Sequence, residues 1–117
     1  MDHLASIVLR KLQETFPVDL QPAAEALLRS GEMTSAEGLH RIQLAAIRLS
    51  HGDLERLTEL MSLARIDYRD VLAPAEFPRQ MRTAPGTITA EMVAADRAEY
   101  DAWLEGTEPG ETKGAAQ

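Results

Sequence analysis

Residues 39–66, LHRIQLAAIRLSHGDLERLTELMSLARI, decide the fold. Leu39, Ile42, Ala46 and Leu49 recur at helical spacing on one face, and Leu44 and Ile47 widen it. A stripe this broad predicts a helix over 35–50 that touches more than one neighbour. His51-Gly52-Asp53 then reads as a tight turn, with Gly52 as a left-handed stop and Asp53 as the next N-cap. A second helix, 54–66, follows with Leu54, Leu57, Leu60, Met61 and Ala64. So short a connection predicts an antiparallel pair of helices.

Upstream, Leu4, Ile7, Val8 and Leu12 predict a helix over 3–15, with Phe16 one turn on, Asp2 as cap and Pro17 as stop. Asp19 can cap a short helix over 20–30 that ends at Gly31, its stripe formed by Leu20, Ala23, Ala26 and Leu27. Thr34-Ser35-Ala36-Glu37 fits a capping box at the head of the 35–50 helix. Downstream, Asp67 reads as the cap of a short helix through Ala73, with Tyr68, Val71 and Leu72 turned inward. Pro74 can begin a further turn. Thr89 can cap a last helix over 90–104, whose apolar residues Met92, Val93, Tyr100, Trp103 and Leu104 make a thin stripe. No segment alternates as a strand would. The expectation is an all-α bundle of four to six helices, with a tethered C-terminal amphipathic helix and a disordered tail.

Composition places the boundary. Leu, Ile, Val and Phe number 26 of 117 residues, and 23 of them lie in residues 1–85. Residues 1–85 carry 10 basic and 12 acidic side chains, net −2; residues 86–117 carry two and seven, net −5. The expected organisation is a helical bundle at 1–78, a linker at 79–88, a helix at 89–105 and a tail at 106–117.

The formal charge of −7 disfavours generic nucleic-acid binding, which needs clustered Lys and Arg. Zero Cys excludes disulfides, thiolate metal sites and cysteine nucleophiles, and fits a reducing compartment. No apolar run approaches the roughly 18 residues of a membrane span. A cytoplasmic protein without membrane contact is expected.

Residues 39–76 also resemble a known group. The segments Leu39–Ala46, Gly52–Leu54 and Asp67–Ala73, with Ala75 and Glu76, are similar to the core of short, uncharacterised bacterial helical proteins. The resemblance implies a bacterial source and a helical unit. It carries no activity and no site residues.

No catalytic motif and no cofactor signature is present. Glu37 and His40 share the Glu-x-x-His spacing of di-iron bundles, but a second motif is lacking, so only a homo-oligomer could complete a metal site. The simpler reading makes Glu37 a cap. His51 and Asp53 could work as an acid–base pair, but both already have roles in the turn. Helices 54–66 and 68–73 can be drawn as a helix-turn-helix, with Arg79 and Arg82 near phosphates. The acidic neighbours Asp67, Asp70 and Glu76 argue against that DNA-associated regulator. Tyr100, Trp103 and Leu104 sit on a segment with little apolar surface of its own, and Trp and Tyr are favoured interface anchors. Tyr68 and Arg69 form a second polar, aromatic candidate. The expected function is therefore protein–protein contact, with another protein or a second copy of the chain, through Tyr100, Trp103, Leu104, Tyr68 and Arg69.

Overall fold

The computed structural model describes residues 5–28 and 36–106, the latter with side chains from Gly38 onward. Among the described residues seven α-helices run in order: α1 (Ser6–Thr15), α2 (Leu20–Leu28), α3 (Ala36–Ser50), α4 (Leu54–Ile66), α5 (Arg69–Glu76), α6 (Pro78–Met81) and α7 (Ala90–Glu105). A 3-10 turn occupies Pro85–Thr87, and no strand occurs among the described residues. The fold is all-helical, as the periodicity requires. The helix number exceeds the expected four to six because α6 is a single turn inside the segment read as linker. The chain divides into two units, Met1–Ala75 and Glu76–Gln117, so the boundary falls before the expected Pro78.

In the first unit α3 packs on α4, α4 on α2, α2 on α1, and α1 back on α3. These four helices close a ring around Val8, Leu12, Phe16, Leu27, Ile42, Ile47, Leu57 and Leu60, all nearly inaccessible. The broad stripe of α3 is explained by its two neighbours, α1 and α4. Lys11 is buried on α1, and its Nζ meets Glu14 Oε1 at 2.7 Å, so the charge enters the interior paired.

The turn between α3 and α4 follows local chemistry closely. Asp53 caps α4 by accepting hydrogen bonds from the N–H groups of Glu55 (3.0 Å) and Arg56 (3.2 Å). Ser50 Oγ donates to the Ile47 carbonyl at 2.7 Å and accepts from the Gly52 N–H at 3.3 Å. Both His51 (φ 52°) and Gly52 (φ 84°) are left-handed, one residue more than the single glycine stop expected. A Cβ at Gly52 would lie 3.3 Å from the Thr15 carbonyl oxygen, so this turn sits beside the C-terminal end of α1. Gly52→Ala is therefore expected to destabilise the chain by about 1–2 kcal/mol through its backbone conformation. Urea denaturation checks this, and an unchanged midpoint would refute the strained-turn account.

Several boundaries differ from expectation. Helix α1 starts at Ser6 with Ala5 at the cap position. Asp2, Gly31 and the hydroxyls of Thr34 and Ser35 lie outside the described residues, as do the side chain of Glu37 and nearly all of the expected tail. Pro74 lies inside α5 instead of starting a turn, and the helix runs on to Glu76. A proline lacks the N–H that would bond one turn back. Helix α5 therefore runs past Pro74 without a ladder bond to the Asp70 carbonyl.

In the second unit α6 packs on α7. Thr89 caps α7 as expected, its hydroxyl accepting from the Met92 N–H at 3.1 Å. Gly106 closes the helix in the left-handed conformation, φ 82°. The apolar stripe of α7 is thin, as read: among its side chains only Asp96 and Trp103 are buried.

Candidate partner-binding surface

The five residues expected at an interface fall in two places. Trp103 is 6% exposed, and its ring lies 5.5 Å from that of Tyr100, tilted by 37°. Tyr100 and Leu104 are half-buried. This group on α7 is therefore largely turned inward, and the exposed large apolar side chain of that helix is Val93.

Tyr68 and Arg69 sit where α4 gives way to α5. Tyr68 is 45% exposed, which corrects the inward orientation expected from sequence. The reason is local. Asp67 accepts a hydrogen bond from the Arg69 N–H at 3.1 Å, so the helix begins at Arg69 and leaves Tyr68 at the corner before it. Val71 and Leu72 are buried as expected. Sequence reading passed over Ile66, which is 84% exposed at the end of α4. It lies off the face made by Leu57, Leu60, Met61 and Ala64, and that mismatch was the available signal.

The corner carries its own ion pair. Arg69 Nε donates to Asp67 Oδ1 at 3.0 Å and Nη2 to Oδ2 at 3.1 Å, a two-pronged geometry. The hydrogen bonds from Arg69 hold the Asp67 carboxyl below its usual range, and the same pairing raises the guanidinium. Arg69 stays largely exposed while paired with Asp67.

The remaining candidates scatter. His51 is exposed in its turn, and Asp53 is occupied in capping α4. No group of three His, Cys, Asp or Glu able to hold a metal ion occurs among the described residues. Arg79, read as a possible phosphate contact, instead faces carboxylates. Its Nη1 donates to Asp96 Oδ1 at 3.1 Å and its Nη2 to Glu99 Oε2 at 2.7 Å. Those two partners push its already high pKa further up, Glu99 most.

Asp96 is the residue that sequence reading missed most. It is 1% exposed and accepts four hydrogen bonds. Oδ1 takes the Arg79 backbone N–H (3.2 Å) and Nη1; Oδ2 takes the Gln80 backbone N–H (3.2 Å) and Nε2 (3.0 Å). Burial opposes the carboxylate, but the hydrogen bonds from Gln80 and Arg79 outweigh it, and the pKa lies below the ordinary value. Its signal was present: Asp96 falls one turn from Met92 and one from Tyr100, on the stripe itself.

Gln43 gives a contrasting case on α3. It is buried, and its Oε1 accepts no hydrogen bond.

No helix among the described residues is long and apolar enough to cross a membrane. Comparison with protein-family models, curated proteins and solved structures returns no match to this chain.

Proposed function

We propose that this chain is a non-catalytic protein–protein interaction module that engages another protein through the corner between α4 and α5. One observation carries the reading: Ile66, 84% exposed, and Tyr68, 45% exposed, stand two residues apart beside an Arg69 paired with Asp67. Apolar side chains that exposed cost solvation, and a partner surface would recover it. Tyrosine and arginine are the residue types over-represented among interface hot spots. The α7 group contributes packing in this reading, and Trp103 supports the unit that carries it. A bacterial, cytoplasmic setting agrees with the absence of Cys and with the resemblance of residues 39–76.

The rival DNA-associated reading draws less support, because Arg69 and Arg79 both engage carboxylates within the chain. A photo-crosslinking residue at position 68 tests the proposal in native lysate, with position 59 on the exposed face of α4 as control. A defined adduct at 68 and none at 59 is expected. Equal labelling at both, or none at either, would overturn it. Sedimentation velocity of the purified chain identifies the case in which the adduct is a second copy.

A further inference from the structure

The first turn of any helix leaves backbone N–H groups without partners inside the helix, and a short helix has few other bonds to offset them. Helix α6 is only four residues long, Pro78–Met81, and the residue at its cap position, Phe77, makes no side-chain capping bond. Pro78 has no N–H, so the donors of that turn are those of Arg79 and Gln80. Both are taken by one carboxylate, Asp96, which belongs to α7 and lies 16–17 residues further along the chain. Asp96 therefore stands where an N-cap aspartate would stand, but it is delivered from another helix.

Helix α7 has no such dependence. It carries its own hydroxyl cap at Thr89 and its own left-handed stop at Gly106.

We infer that Asp96 is a latch: α6 is a conditional turn that exists only while the Asp96 carboxylate engages it, whereas α7 persists when the latch is open. Opening removes the acceptor from two backbone amides and from the Gln80 side chain. It leaves Arg79 with Glu99 as its carboxylate partner. Residues 77–82, where Phe77, Met81 and Arg82 are already exposed, then lose their helical geometry and free Arg79 from Asp96. The charged groups at the latch are Arg79 from α6 and, across its guanidinium, Glu99 from α7. Because the hydrogen bonds from Gln80 and Arg79 hold the Asp96 pKa below its ordinary value, the latch is closed through the ordinary carboxylate range and opens only as pH falls through that depressed value. At neutral pH it opens by mutation or by a competitor for Arg79 and Gln80.

Carbon chemical shifts of the full chain test this by NMR. In Asp96→Asn the helical Cα shifts of residues 78–81 should fall by more than half toward coil values, while those of 90–105 and 54–66 stay. The readout includes Met81, whose N–H bonds to the Phe77 carbonyl and not to Asp96, so loss of a local contact alone would not move it. Helical shifts retained at 78–81 in the variant would overturn the latch, as would equal loss from α7. Acid titration of the unmodified chain gives an independent reading that needs no variant. The 78–81 shifts should move in the same step as the Asp96 carboxyl carbon, and a separate midpoint would refute the inference.

Discussion

Trp103→Ala is expected to lower the unfolding free energy of the unit that contains it by about 3–5 kcal/mol, among the largest effects of any single change in this chain. The ring is 6% exposed, and a tryptophan buries about 150–250 Å² when enclosed. At about 25 cal/mol per Å² that burial corresponds to about 4–6 kcal/mol, enough to account for the loss. The stacking partner Tyr100, 5.5 Å away, loses its neighbour as well. Trp103→Phe keeps an aromatic face and should recover more than half of the stability. Urea denaturation followed by the NMR signals of residues 90–105 measures both. A Trp103→Ala chain as stable as the parent would return Trp103 to the role of exposed anchor suggested by composition alone.

Leu57→Ala is expected to cost about 2–5 kcal/mol in the first unit. Leu57 is fully inaccessible on α4, the helix that packs on both α2 and α3, so shortening it opens a void where three helices meet. The surrounding side chains are held by the closed ring of helices and can collapse only in part. Domains of this size have about 5–15 kcal/mol to lose, so the variant should sit near its unfolding threshold at 37 °C. The denaturant midpoint should fall with the slope unchanged. A loss under about 1 kcal/mol would mean that the ring relaxes around the void and is not close-packed there.

The elements readable from sequence were those whose start and stop signals lie within a few residues of the helix. Helix α4 begins and ends where Asp53 and Ile66 indicate, and α7 begins after Thr89 as its hydroxyl suggests. Helix α6 was read as linker because its cap, Asp96, is remote in sequence, and no local pattern records a bond across 16 residues. Tyr68 was turned the wrong way for a related reason. Asp67 caps through Arg69, so the helix starts one residue later than the spacing implied. Pro74 misled as well, since it ends most helices but is accommodated in the last turn of α5. For the candidate surface, Tyr68 and Arg69 were legible as residue types. Ile66 was not, because a single apolar residue off the stripe looks the same in sequence whether it is covered or bare.

The chain contains one tryptophan, and it lies in the second unit. The pairing of Trp103 with Tyr100 therefore has an optical consequence. At a ring separation of 5.5 Å, light absorbed by Tyr100 is expected to pass to the indole, and the enclosed ring is expected to emit at short wavelength. The first unit contributes no indole emission at all. Indole fluorescence thus reports the surroundings of Trp103, against circular dichroism from every helix. Coincident transitions in the two signals would mean that the two units unfold together, and separate transitions that they do not, a distinction that needs no labelling, truncation or substitution.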